Sequence, residues 1–190
     1  MVSVVLATVL KDHQTKALRS FLERDVAANL FGLSVLEHWG VTGLKDAEWW
    51  GVFDPSDELS AVCYAGTYTP SSGFDLVVPY GDPEALSVLG MALSARGGAR
   101  WVVGDRISSD AVWDGLGAPR ARLCSDQILF EATQASQGPT LDLRIGTQHD
   151  FAWLHMAASL MVEEDLSLPW AGQTPEQFAG RLRSSIREGA

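Results

Sequence analysis

The stretch "TYTPSSGFDLVVPYGDPEALSVLGMALSAR", residues 67–96, decides the fold because it contains a turn, a strand and a helix in succession. Pro and Ser before Gly73 are typical of a turn, and "FDLVVPYG" is typical of a strand. Asp82, with a proline and an acidic residue directly after it, marks the start of a helix. Leu86, Leu89 and Leu93 then form one apolar stripe. A strand that runs directly into a capped helix is a junction that often holds a phosphate.

The elements around this stretch complete one domain. An apolar strand over about 2–10 and two helices come first, and the second helix ends near Gly40. Two strands separated by Pro55, Ser56 and Asp57 form a hairpin. After the central helix, "ARWVVGD", "SSDAVWDGLG" and "ARLCSDQILFEAT" predict a strand, a short helix and a final strand. The predicted order is therefore β-α-α-β-β-β-α-β-α-β, which is an α/β chain of the α+β type.

A second unit begins after a small polar linker. We predict a first domain over 1–134, a linker over 135–140 and a second unit over 141–190. This unit should start β-α-α, with a strand at 141–145 and helices over about 150–164 and 175–187.

The last of these helices has strong start signals and an apolar stripe. Thr174 and Gln177 form a capping box with Pro175 at the first helical position. Its stripe of Phe178, Leu182 and Ile186 requires cover. We expect that cover to come from further strands beyond Ala190, or from a partner, and hence expect the second unit to be truncated here.

Composition excludes several classes of function. Fourteen Lys and Arg against twenty-four Asp and Glu give a net charge of −10, which disfavours nucleic acid as a partner. The apolar N-terminus has no basic region before it, and no apolar run is long enough for a membrane helix, so we expect a cytoplasmic protein. Cys63 and Cys124 both lie in β-like stretches and should be buried free thiols. His149 and His155 cannot share a helix face, so we predict no metal site.

Three longer patterns carry a family resemblance. They are "FLERDVAANLFGLSVLEHWG" (21–40), "WVVGDRISSDAVWDGLG" followed by "RLCSDQILF" (101–117 and 122–130), and "LRIGTQHDFAWLHMAASLMVEEDLSLPWAGQTPEQFAGRLRSSIREG" (143–189). With this order of elements, the chain resembles the GCN5-related N-acetyltransferases. It is most similar to the bacterial tandem type, in which a divergent N-terminal acetyltransferase-like domain precedes a catalytic one. The resemblance implies a mixed, mostly antiparallel, twisted sheet flanked by helices.

The resemblance also implies a reaction and a cofactor. Members of this family transfer an acyl group, usually acetyl, from coenzyme A to an amine by direct attack. The backbone of the fourth strand polarises the thioester carbonyl, the following loop binds the pyrophosphate, and a carboxylate or a water chain accepts the amine proton. The implied cofactor is acetyl-CoA or another acyl-CoA, and the implied partner is a small-molecule or peptide amine.

The junction inside the opening stretch departs from the family's coenzyme loop. That loop reads Gln or Arg, two residues, Gly, one residue, and Gly or Ala, whereas this chain has Tyr80, Gly81 and Asp82 followed by Pro83 and Glu84. Pro83 removes one N–H group that could bind a phosphate. The carboxylates of Asp82 and Glu84 would each repel a phosphate about 4 Å away by about 1 kcal/mol in water. We therefore interpret the junction as a degenerate loop and expect acyl-CoA to bind through a segment that this chain lacks.

The candidate substrate residues lie in the second unit. Glu163, Glu164 and Asp165 follow a mostly apolar helix and match the family's acidic segment beside the amine cleft. They would attract a cationic amine, with Glu163 and Glu164 as the candidates for catalysis, although a solvated helix end is the alternative. Trp170 could form a wall of the same cleft or pack as a plug.

Three hypotheses on function follow. The leading one is an acyl-CoA-dependent N-acyltransferase whose first domain does not bind coenzyme, so that the natural protein is an enzyme while these residues alone could be inactive. The alternative is a non-catalytic, acetyltransferase-like interaction or regulatory module. A third is a small-molecule site in a cleft between "FDLVV" (74–78) and "RWVV" (100–103).

Overall fold

Contacts divide the chain into two compact units, Met1–Asp126 and Gln127–Ala190. The computed structural model describes residues 6–67, 73–121, 124–126, 144–166 and 174–188. The domain boundary predicted at 134–141 lies outside these residues.

The first unit is built on a mixed sheet. Its strands are β1 (Ala7–Val9), β2 (Ala47–Phe53), β3 (Leu59–Gly66), β4 (Phe74–Gly81) and β5 (Ala99–Val102). They lie side by side in sequence order. The first three pairs are antiparallel, and β5 is parallel to β4. The prediction of a mixed, mostly antiparallel sheet is therefore confirmed for the described strands.

Helices cover both faces of this sheet. They are α1 (Thr15–Leu22), α2 (Leu30–Trp39), α3 (Pro83–Ala95) and α4 (Arg106–Gly115). The sheet separates two hydrophobic cores, one on each face. The two adjacent tryptophans of β2 contribute to different cores, because successive strand residues point to opposite faces. Trp49 lies in the core with α1 and α2, whereas Trp50 lies in the core with α3 and α4. The first unit therefore belongs to the α/β class, with helices on both faces of its sheet.

From Gly73 onward the opening stretch folds as predicted, while the turn predicted before it falls largely outside the described residues. Asp82 caps α3, Pro83 is its first residue, and the three leucines of the predicted stripe are 0% exposed. Gly90 of α3 and Gly115 of α4 allow the two helices to lie in close contact. A Cβ atom on Gly90 would lie 2.4 Å from the carbonyl oxygen of Val112.

The strand predicted over 121–133 is wrong for the part that the structure describes. Ala121 and the segment 124–126 are not in a strand, and residues 127–133 lie outside the described residues. Consequently Cys124 is exposed, which corrects the prediction that both thiols are buried, while Cys63 is buried in β3 as predicted. Asp126 instead forms an ion pair with Arg106 at 3.1 Å.

The second unit contains α5 (Phe151–Leu166) and α6 (Pro175–Glu188) in the described residues. Both helices begin within a residue of the predicted positions, and the capping box of Thr174 and Gln177 is present at 3.2 and 3.0 Å. Of the strand predicted at 141–145, the described residues Arg144 and Ile145 are not in a strand. Arg144 is held instead by two 2.7 Å hydrogen bonds to Asp150, before α5 begins.

Candidate functional site

The carboxyl end of β4, where the chain passes into α3, is the junction at which a phosphate would be expected. Its backbone donors already have acceptors within the protein. The amide of Asp82 donates to the carbonyl of Ser60 at 2.9 Å. The amides of Glu84 and Ala85 donate to Asp82 Oδ1 at 3.0 and 3.1 Å. Since Pro83 has no N–H, a phosphate at this helix start would have to displace the Asp82 side chain.

Gly81 at this junction has a packing role. It has a φ of +137°, and a Cβ atom there would lie 2.5 Å from the carbonyl oxygen of Ser60 and 2.6 Å from Cα of Ala61. Only glycine permits β4 to approach β3 this closely while it turns toward α3. The glycine is thus explained by the backbone of the neighbouring strand, with no ligand required.

Beside the junction, the hydrogen-bond ladder between β4 and β5 ends. The last hydrogen bond between them joins the amide of Val103 to the carbonyl of Val77 at 2.9 Å. In a strand, the backbone groups of every second residue face the same neighbouring strand. The next N–H donor of β4 toward β5 after Val77 would therefore belong to Pro79, which has no N–H group. Before this point the strands are paired, with Leu76 opposite Trp101. The predicted cleft between 74–78 and 100–103 is therefore wrong, because these two segments are ladder partners.

A groove of about 460 Å³ opens on the sheet face that α1 covers. It lies among the end of α1, the turn between β2 and β3, and the end of β4. Its lining consists of Phe21, Arg24, Asp54, Glu58, Leu59, Ser60, Tyr80, Gly81 and Asp82. All three residues of the degenerate loop are therefore part of one concave site.

Aromatic rings form one wall of the groove. The rings of Phe21 and Tyr80 meet edge to face, with their centroids 5.5 Å apart. The guanidinium carbon of Arg24 lies 4.6 Å from the centroid of Phe21, which is a cation–π contact. This contact holds one positive charge at the aromatic wall.

The carboxylates of the groove differ in how they are bound. Asp54 Oδ1 accepts hydrogen bonds from the amides of Ser56 and Glu58 at 2.8 and 3.0 Å, and so closes the β2–β3 turn. Asp82 Oδ1 is engaged at the start of α3. Glu58 carries a side-chain carboxylate with no hydrogen bond or ion pair in the described part of the chain.

The predicted acidic segment lies at the end of α5. Glu163 and Glu164 are exposed, at a helix end where negative charge is unfavourable. Asp165 is in the same last turn, and its side chain lies outside the described residues, as does Trp170. The two glutamates therefore lie next to each other, and their relation to Trp170 stays a prediction.

The stripe of α6 is half-buried rather than fully exposed. Phe178, Leu182 and Ile186 all have intermediate exposure. The ring of Phe178 meets that of His155 at 5.6 Å, and the Arg183 guanidinium lies 4.2 Å from the Phe151 ring centroid. Packing between α5 and α6 thus supplies part of the cover that the sequence analysis required.

Within the described residues, no group of three His, Cys, Asp or Glu side chains is arranged to hold a metal ion. No helix in the described ranges has the length and apolar character needed to cross a membrane. Burial raises the pKa of the Cys63 thiol, so the neutral form of this side chain is favoured.

No family model matches this chain, and comparisons with curated proteins and with solved structures find no significant match. The resemblance to the acetyltransferases therefore rests on the residue patterns quoted above.

Sequence reasoning missed most of the groove. It identified Tyr80, Gly81 and Asp82 but assigned no role in a site to Phe21 or Glu58. One signal could have found Arg24, because it lies in the first pattern quoted for the family resemblance, "FLERDVAANLFGLSVLEHWG" at 21–40. Glu58 had no such signal, because it reaches the groove only through the pairing of β3 with β4.

Proposed function

We propose that this chain is part of an N-acyltransferase, which transfers an acyl group, usually acetyl, from coenzyme A to an amine. In this proposal the first unit has an acetyltransferase-like fold but does not bind coenzyme at the start of α3. The observation that carries it is the carboxyl end of β4. This strand is parallel to β5 and leads directly into α3, yet the amides of Glu84 and Ala85 are bound by Asp82.

The reaction requires an uncharged amine near a thioester. The amine nitrogen forms a bond to the acyl carbon, the carbon–sulfur bond breaks, and the amine proton passes to a base while the thiol leaves. We assign the attraction of the cationic amine to Glu163 and Glu164, because exposed neighbouring carboxylates favour a positive charge. Acyl-CoA, when bound, supplies the activated acyl group.

The test is release of free coenzyme A thiol from acetyl-CoA by the natural protein that contains these residues, with a panel of amines, amino acids and peptides. We expect turnover with at least one amine. Glu163→Gln combined with Glu164→Gln should raise KM for that amine more than it lowers kcat, because the two charges attract the substrate. Glu176→Gln, an exposed glutamate on α6, is the matched control. Absence of turnover with every acceptor would reject the enzyme.

The amides at the start of α3 already donate to Asp82, and this also favours a second function. That function is a non-catalytic interaction or regulatory module with an acetyltransferase-like fold. Calorimetry with acetyl-CoA separates the two. Coenzyme binding together with turnover supports the enzyme, whereas absence of both supports the module. Binding that is lost when Glu84 and Ala85 are replaced by proline would instead place the coenzyme at α3 and contradict the first part of the proposal.

A further inference from the structure

We infer that the groove between α1, the β2–β3 turn and the end of β4 binds a small dipolar molecule with an ammonium and a carboxylate, namely an amino acid with an apolar side chain. Three features carry this inference: the size and apolar wall of the groove, two opposite charges that line it without pairing, and the contacts that hold the Arg24 side chain and the Glu58 backbone in place. The binding requires no coenzyme, so the inference is independent of the proposed acyltransferase activity.

The first feature is the form of the groove. Its volume of about 460 Å³ is within the range of about 300 to 1,000 Å³ that is usual for small-molecule sites. Phe21 is 3% exposed and Leu59 is 6% exposed, so both are held firmly by the core beneath the groove. The half-buried ring of Tyr80, backed by these two side chains, provides most of the apolar surface for a ligand side chain.

The second feature is the pair of free charges. Arg24 and Glu58 both line the groove, and neither forms an ion pair in the described ranges, with each other or with another residue. Opposite charges on one concave surface that do not meet leave room for a ligand that carries the complementary charges. Arg24 suits a carboxylate because its guanidinium presents several donors in one plane. Glu58 suits an ammonium.

The third feature is that the Arg24 side chain and the backbone of Glu58 are positioned before any ligand arrives. Arg24 is held at the ring of Phe21 by the 4.6 Å cation–π contact. The backbone of Glu58 is fixed on both sides, since its amide donates to Asp54 Oδ1 at 3.0 Å and its carbonyl accepts from the amide of Asp54 at 2.8 Å. A preorganised site loses less conformational freedom on binding.

The remaining carboxylates do not turn the groove into a simple cation site. Asp54 and Asp82 each use one oxygen to accept two backbone N–H groups, which offsets part of their charge. Arg24 and Glu58 are therefore the charges that are free to recognise a ligand.

Calorimetry on the full chain with three matched probes tests the inference. L-phenylalanine has both charges, phenethylamine lacks the carboxylate, and 3-phenylpropionate lacks the ammonium. We expect L-phenylalanine to bind more tightly than either of the other probes, by roughly three- to tenfold, which is the range for partly exposed charge contacts. Arg24→Gln should abolish the preference over phenethylamine, and Glu58→Gln should abolish the preference over 3-phenylpropionate.

Arg120→Gln and Asp114→Asn, which alter exposed charges outside the lining, are the matched controls and should leave all three affinities unchanged. Equal binding of phenethylamine and L-phenylalanine would overturn the inference in favour of an amine site. Binding of L-phenylalanine that survives both groove substitutions would place the ligand elsewhere. If none of the three probes, nor any other of the common amino acids, binds at millimolar concentration, the inference is wrong.

Discussion

Asp82 is a helix cap, and its carboxylate occupies the place that an anion would otherwise take at the start of α3. One oxygen accepts two amides, and the negative charge lies at the positive end of the helix dipole. The same side chain is also part of the groove wall. A single residue thus stabilises the central helix and competes with a phosphate.

Replacing Asp82 by alanine should lower the free energy of unfolding by about 1 kcal/mol, because two amides lose their acceptor. Urea unfolding followed by circular dichroism measures the change. Asp82→Ser is the control, since a hydroxyl can still cap the helix, and it should recover most of the loss. If the alanine and serine variants were equally unstable, the cap would not be the cause.

Asp150 is a carboxylate of the second unit with a strongly lowered pKa. Hydrogen bonds from Arg144, and then from the amide and hydroxyl of Thr147, lower its pKa well below the usual range. A carboxylate whose pKa is lowered in the folded state stabilises the fold at pH values above its pKa in the unfolded chain, which is about 3.9 for Asp. That contribution is lost as the pH falls below about 4 toward the folded-state pKa.

We therefore expect wild-type protein to be more stable than Asp150→Asn at neutral pH, with a difference that shrinks as the pH falls below about 4. Urea unfolding at a series of pH values measures it. The carboxyl carbon shift of Asp150 in NMR provides an independent reading, and its midpoint should lie below about 3.9. A midpoint at or above that value would contradict the ion pair.

At the scale of elements, the contact between α3 and α4 depends on two glycines. A Cβ atom on Gly115 would lie 2.1 Å from the carbonyl oxygen of Ser87, and one on Gly90 would also meet backbone atoms. Backbone cannot move aside as a flexible side chain does. The two helices can therefore pack this closely only with glycine at both positions.

Gly90→Ala should lower the free energy of unfolding by about 1 to 3 kcal/mol, because the strain of overpacking exceeds the gain in helix propensity. Met91→Ala, a change at an exposed neighbour in α3, should stay within about 0.5 kcal/mol of wild type. A Cβ atom on Gly180 in α6 would have no other atom within 4 Å, so Gly180→Ala should instead be mildly stabilising. Thermal unfolding of the three variants and of wild type measures these differences. A Gly90→Ala variant more stable than wild type would refute the close contact.

How well the elements could be predicted varies with how local their signals are. The start of α3 at Asp82 and Pro83 and the capping box at Thr174 follow from neighbouring residues, and both are present. Cys124 illustrates the opposite case. Its β-like surroundings predicted burial, yet strand formation requires a partner strand, and the described part of this segment is not in a strand.

At the scale of the whole molecule, the boundary between the units can be tested. Contacts divide the chain after Asp126, whereas the sequence analysis placed the end of the first domain at residue 134. If "QILFEAT" at 127–133 completes the first sheet, a chain ending at 134 should be more stable than one ending at 126. Burial of its apolar side chains predicts a difference of about 3 kcal/mol or more.

Urea unfolding of the two shortened chains measures this difference. A chain of the longer length, in which Gly and Ser replace residues 127–133, controls for chain length alone. Equal stability of all three chains would show that the segment does not belong to the first sheet.

The sequence by itself determined the α/β class, the negative charge, the order of the described elements from β1 to α4, and the caps of α3 and α6. These properties depend on residues that are neighbours in the chain or repeat with the period of a helix or strand. Only the tertiary structure decided the pairing of β4 with β5, the exposure of Cys124, and the groove where Phe21, Glu58 and Tyr80 meet. The physical reason is that these residues become neighbours only when sheet pairing and helix packing bring distant segments together.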